Sequence, residues 1–149
     1  MAARFVGTLH GSTNGVAREF IVGNGVTVTE GDFVYFASGV VTNATVAGAR
    51  LAGVAVSTVV GDGTRKVKVL VGDKNLYVVD NDNIGTTFGP THVGQCFDLV
   101  GATGAQLVDT SSVSTTGSLV CVEYNPQISP LESDTSQGLF MIAESAFNL

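Results

Sequence analysis

The chain has 149 residues, of which 13% are Asp, Glu, Lys or Arg, 44% are apolar and 19 are Gly, with a net charge of −6. A soluble domain ordinarily carries about 25% charged residues, so much of this chain's outside is expected to be covered by copies of itself or by a larger scaffold. The acidic balance repels phosphate backbones and argues against nucleic acid as a partner, and no run approaches the roughly 18 apolar residues of a membrane-spanning helix.

One domain spanning 1–149 is expected, since a chain of this size buries roughly 68–70% of its unfolded surface without staples. Residues 1–15 read as an N-terminal arm, rich in Gly, Ser, Thr and Asn around one short strand, Arg4–Leu9. They lack the apolar stretch of a secretory signal. A β core follows over residues 16–124. Its strands are expected at Ala17–Val22, Gly25–Thr29, Asp32–Ala37, Val40–Thr42, Leu51–Thr58, Lys66–Val71, Leu76–Asp80, Gly94–Val100, Ala105–Val108 and Ser118–Tyr124. They are rich in Val, Thr, Phe and Tyr and are punctuated by Gly, Asn and Asp.

Within that core, Lys66–Val71 alternates, which places Val67, Val69 and Val71 inward and Lys66 and Lys68 outward. Residues 32–36, Asp-Phe-Val-Tyr-Phe, carry apolar groups on both faces and read as a strand buried twice. The small side chains of Leu51–Val56 permit a close approach by another backbone. Gly23-Asn24-Gly25 and Gly61-Asp62-Gly63 accept positive φ and suit tight reversals.

Residues 125–138, with Pro126 and Pro130, read as a linker. Residues 139–149 form a C-terminal strand, Leu139–Ala143, and a tail ending Ala146-Phe-Asn-Leu149, whose apolar side chains need cover. The chain is therefore read as all-β, a small barrel or sandwich with a jelly roll among the options, carrying extended N- and C-terminal arms.

Residues able to carry chemistry are sparse. The only histidines, His10 and His92, sit in the Gly/Ser arm and in a loop, and no nucleophile elbow surrounds a serine. Asp80-Asn-Asp-Asn-Ile-Gly85 matches part of a calcium loop but has Ile84 at position 5 and Thr91 at position 12, so it reads as an Asx-rich turn. Gly61–Lys66 has the wrong spacing for a phosphate loop and reads as a hairpin turn. Asn43-Ala-Thr45 fits a glycosylation acceptor, which has no meaning without secretion. Cys96 and Cys121 lie in strand-like settings and are expected to be free thiols. No catalytic residue, metal site or cofactor is expected, and the chain is not read as an enzyme.

The stretch from Val28, VTVTEGDFVYFASGVVTNATVAGARLAGVAV, followed by a basic alternating strand, resembles the head decoration, or cement, proteins of tailed bacteriophages. The run from Val93, VGQCFDLVGATGAQLVDTSSVSTTGSLVCVEYNP, is similar to small structural proteins encoded among phage head genes. Together these cover residues 25–126. The resemblance implies a small β-barrel or sandwich, commonly trimeric, made in the host cytoplasm and bound to the outer capsid surface. There it would bridge subunits of the major capsid protein and stabilise the lattice, with no nucleic acid or membrane partner. Phe140, Ile142, Phe147 and Leu149 are the expected interface residues, on the ground that the apolar C-terminal tail needs a neighbour. A tail or baseplate β-subunit, a ligand-binding β-sandwich and a small β-barrel hydrolase are the alternatives; the absence of Trp weighs against sugar binding, and the scarcity of His weighs against the hydrolase.

Overall fold

The computed structural model describes residues 3–9, 15–43, 49–72, 74–82, 88–124, 137–143 and 145–147. They are organised almost wholly as β-strands: β1 (Ala3–Thr8), β2 (Val16–Ile21), β3 (Thr27–Val28), β4 (Phe33–Ala37), β5 (Val40–Asn43), β6 (Leu51–Ala55) and β7 (Val59–Val60). There follow β8 (Lys66–Val71), β9 (Asn75–Asp80), β10 (Cys96–Phe97), β11 (Leu99–Val100), β12 (Leu107–Val108), β13 (Leu119–Tyr124) and β14 (Gln137–Ile142). Two single-turn 3₁₀ segments, Pro90–His92 and Thr110–Ser112, interrupt them. The all-β expectation therefore holds.

The strands form two five-stranded sheets, β1-β9-β14-β13-β10 and β2-β8-β6-β4-β5, and two short ribbons, β11-β12 and β3-β7. Every named pairing is antiparallel. The second sheet carries apolar residues on both faces; they alternate along β4 and β8, while in β6 a register irregularity between Gly53 and Leu51 puts Leu51 and Val54 on one side and Ala52 and Ala55 on the other. Phe33, Leu51, Val54 and Leu70 join Tyr77, Val79, Phe97, Leu119, Phe140 and Ile142 of the first sheet in one core. Val34, Ala52, Ala55, Val67 and Val69, their neighbours along the chain, join Val22, Val28 and Val41 in another. Side chains of a strand alternate sides, so β4, β6 and β8 each supply both cores.

Such a sheet must also be thin. All five residues of β6 are buried, and a Cβ added at Gly53 would run into the Leu70 carbonyl of β8, so glycine is required for that approach. The sheet curls about the second core until Val22, just beyond β2, bridges Val41 of β5. No closed barrel forms among the described residues.

The β11–β12 ribbon ties the sheets together through polar groups. Gln106, fully buried, donates from Nε2 to the Phe33 carbonyl at 3.0 Å and accepts from the Phe33 N–H at 2.6 Å. One side-chain amide thereby reproduces a strand pairing at the start of β4. Beside it the buried Asp32 carboxylate accepts from the Thr29 N–H at 2.9 Å, from the Gly104 N–H at 2.7 Å and from the Thr103 hydroxyl. On its other side the ribbon meets the end of β9 through the parallel bridge Asn81↔Val108.

Several details differ from the sequence reading. Most of the N-terminal arm's described residues belong to β1, an edge strand paired with β9, and Ala3 is in the core; the strand has a sheet partner, so it does not project. Gln137 and Gly138, placed in the linker, already belong to β14, and residues 125–136 lie outside the described residues. Gly94–Val100 divides into β10 and β11, which pair with different partners. The expected turn glycines do reverse the chain, with φ +75° at Gly25 and +88° at Gly63.

Replacing Gln106 by Ala would strand the buried Phe33 N–H and C=O together. Each such group costs about 1–3 kcal/mol, so urea denaturation of Gln106→Ala should show a loss of about 2–6 kcal/mol. A loss below about 0.5 kcal/mol would contradict the role assigned to the amide.

Candidate interaction surface

The second sheet ends at β2, which pairs with β8 alone among the described strands. All six residues of β2 are exposed or only half-buried. In an antiparallel ladder the N–H and C=O of successive residues point alternately to one side and the other. The register continues past Ile21↔Lys66 to Val22, whose N–H donates to the Arg65 carbonyl at 2.9 Å, so Val16, Arg18 and Phe20 turn their backbone groups toward β8. Ala17, Glu19 and Ile21 turn theirs outward. The next residue outward, Gly23, donates to the Val41 carbonyl at 3.0 Å, which fixes where β5 closes the edge. The parallel bridge Val22↔Val41 takes up the Ile21 carbonyl on the same side, so among the described strands the edge is open only over Ala17 and Glu19.

Side chains on this strand divide by the same parity. Phe20 faces the second core and meets Phe36 edge-on at a centroid distance of 5.1 Å. Phe147 stacks on Phe20 at 5.8 Å and meets Phe36 at 5.6 Å. The segment carrying Phe147 crosses from the first sheet to the second: the Ala146 N–H donates to the Leu51 carbonyl at 2.8 Å, and Arg50 donates to the Ser145 carbonyl at 3.1 Å. Phe147 stays 52% exposed, so it covers Phe20 and Phe36 while presenting its own outer face to solvent. On the opposite face of β2, Glu19 lies across from Lys68 and Ile21 across from Lys66.

The four residues expected at an interface thus separate. Phe140 and Ile142, at 0% and 4% exposure, are interior residues of the chain's own first core, because β14 lies between β9 and β13; a partner cannot reach them, and the expectation is corrected for these two. Phe147 remains at the surface, against its own chain's Phe20 and Phe36. Leu149 lies outside the described residues. Sequence reading did not single out Phe20, Phe36 or the β2 edge, and only the run Val16–Ile21, apolar at both ends around Arg18-Glu19, hinted at an exposed strand.

Other candidates carry less. A cleft of about 250 Å³ runs between Arg4 and Phe5 of β1, Glu30-Gly31 and Val54–Val56, smaller than the roughly 300–1,000 Å³ of ordinary small-molecule sites. His92 accepts the Gly89 N–H on Nδ1 at 2.9 Å and packs against Phe88 and Phe97; His10 lies outside the described residues. Of the calcium-like string, Asp82 accepts from the Thr110 hydroxyl at 2.9 Å and residues 83–85 lie outside the described residues. Among those described, no three His, Cys, Asp or Glu converge on a metal-sized space. At the Gly61–Lys66 turn, Asp62 accepts from the Thr64 hydroxyl and from the Arg65 and Thr64 N–H groups, each at 2.8 Å, and these bonds pull its carboxyl down to about 2.

No protein family, curated protein or solved structure matches the chain.

Neither Cys96 nor Cys121 is in a disulfide. Cys96 lies opposite Val120, so Cys121, one residue on, points to the other face of the sheet and the two sulfurs cannot meet. Burial pushes the Cys121 thiol up to about 11 and the Tyr77 phenol up to about 12, against a hydrogen bond from Asn75. Both groups ionise at lower pH in the unfolded chain, so the stability they contribute is intact below pH about 9 and is lost as pH rises through about 11 and 12. Urea midpoints should fall from pH about 9 upward, and the double variant Cys121→Ala, Tyr77→Phe should show a flatter alkaline limb. An unchanged slope would contradict the assignment.

Proposed function

We propose that this protein is a virion component, bound to the outer surface of an assembled phage capsid, that stabilises the shell by bridging coat subunits. The observation that carries this reading is a surface with few charges, 13% of all residues, and two ready contact features side by side, the open β2 edge and the half-exposed Phe20–Phe36–Phe147 group. The resemblance of residues 25–126 to decoration proteins points the same way. Exposed Val56, Val60, Val93 and Val113 add further apolar surface.

The mechanism is thermodynamic. A protein that binds the assembled lattice and not its separated subunits stabilises the lattice by about 2.7 kcal/mol at a free concentration one hundred times its dissociation constant. Copies placed around a symmetry axis bind as a multivalent unit, so that modest contacts sum to firm attachment. Catalysis and cofactors have no part in it.

The test uses capsids of the cognate phage assembled without this protein. Purified protein should co-sediment with assembled shells, raise their disruption temperature and bind free coat subunits far more weakly. Phe147→Ala, which removes the exposed ring and leaves the buried residues of both cores in place, should weaken shell binding about tenfold, the equivalent of about 1.4 kcal/mol. Equal binding to free and assembled coat protein, or none to either, would overturn the reading, and binding to tails instead would move the protein to the tail or baseplate.

A further inference from the structure

We propose that the basic margin formed by the side chains of β2 and β8 docks, head to tail, on the acidic surface around the end of β12 in a second copy. This contact does not rest on the capsid reading and stands or falls separately.

Charge is divided along the chain. All seven Lys and Arg precede residue 75, alongside five acids, while residues 75–149 hold eight Asp and Glu and no Lys or Arg. The two parts carry formal charges of +2 and −8, which make up the −6 of the whole. Folding turns this into a division in space. Strands β2, β8, β6, β4 and β5 all come from the first part, whereas the first sheet takes β9, β14, β13 and β10 from the second, as does the β11–β12 ribbon.

Four of the bases gather at one margin of the second sheet: Arg18 on β2, Lys66 and Lys68 on β8, and Arg65 just before β8. Their acidic neighbours there are Glu19, across from Lys68, and Asp62, which pairs with Arg65 at 3.4 Å. Arg18, Lys66 and Lys68 are exposed and have no ion-pair partner among the described residues. The opposite charge collects around β12. Val108 bridges Asn81 and accepts from the Asp82 N–H at 3.0 Å, and the Asp109 N–H donates to the Asp98 carbonyl at 3.0 Å. Asp80, Asp82, Asp98 and Asp109 therefore lie together, each half-buried, with Arg4, across from Val78, the nearest base on the neighbouring strand. Apolar groups accompany both charges: Val16 and Ile21, 56% and 37% exposed, among the bases, and Val113, 46% exposed, beyond Asp109.

The two surfaces fit each other in sign and in their mixture of charge with exposed valine or isoleucine. At physiological salt the Debye length is about 8 Å, so docked patches feel the charges facing them and not the net charge of the remote surface. A second copy supplies the complementary patch at the same concentration as the first. Because the patches lie on different parts of one chain, the contact is heterologous: each copy offers its margin to one neighbour and its acids to another, closing a ring or extending a chain.

Three measurements on the full-length protein test this. Sedimentation over a concentration series should show association of the wild type that weakens as salt rises from about 0.1 M to about 1 M, where the Debye length shrinks from about 10 Å to about 3 Å. The double variants Arg18→Glu, Lys66→Glu and Asp80→Lys, Asp98→Lys should each weaken association about tenfold or more, since reversal sets like charges face to face, with circular dichroism unchanged. Mixing the two variants should restore association, each supplying the sign the other has lost. In the wild type, which needs no variant to fold, carbodiimide should form amide cross-links between isotopically light and heavy copies that join Lys66 or Lys68 to Asp80, Asp82, Asp98 or Asp109. A wild type that stays monomeric, association that salt leaves unchanged or strengthens, no recovery on mixing, or cross-links confined to other residues would each overturn the proposal. Charge reversal that weakens shell binding while free copies never associate would assign the basic margin to the coat protein and overturns it equally.

Discussion

Burial of the second sheet on both of its faces governs most of what is seen in this molecule. A strand exposed on one side needs apolar residues only at alternate positions, whereas β4 and β6 must satisfy two cores at once and therefore run nearly continuously apolar, and β8 alternates until Val69 and Leu70, which face one core each. The residues that achieve this sort by size: Phe33, Leu51 and Leu70 face the thicker core against the first sheet, while Val34, Ala52, Ala55, Val67 and Val69 fill the narrower space inside the curl. Gly53 lets β6 and β8 approach. With both faces occupied, a polar group inside has no water to turn to, so Asp32 and Gln106 are tied down by hydrogen bonds across more than seventy residues of sequence.

The same constraint decides what is left outside. Curling brings β5 against the end of β2 at Gly23 but not along its length, and the second core thins toward that edge, where Phe20 and Phe36 are only partly covered. The C-terminal segment completes the cover with Phe147, carried over from the first sheet by its contacts to Arg50 and Leu51. Thus the exposed aromatic and the open strand edge are adjacent because both lie where one curled sheet fails to close. A chain with few charges has placed its most adhesive features together.

Strand positions were legible because Val-rich runs and Gly/Asn turns are local signals: Lys66–Val71 alternates as expected, with Val67 and Val69 buried and Lys66 and Lys68 exposed, and the doubly apolar stretch at Phe33 does face two cores. Pairing was not legible. Leu139–Ile142 reads equally well as an arm or as a central strand, and only its insertion between β9 and β13 shows Phe140 to be interior. A buried Gln106 joined to a backbone seventy-three residues away leaves no trace in its neighbours along the chain. Of the surface, Phe147 was visible from its place in an apolar tail, while Phe20 and Phe36 looked like ordinary core residues of their strands.

Amide hydrogen exchange, read residue by residue at a dilution where copies are separated, tests this picture most directly. Amides of β6 and of Val67 and Val69 should exchange only on global unfolding, and along β2 protection should alternate, with Arg18 and Phe20 slow and Ala17, Glu19 and Ile21 fast. Uniform protection along β2 in the separated chain, or early exchange in β6, would contradict the doubly buried sheet and the open edge it leaves.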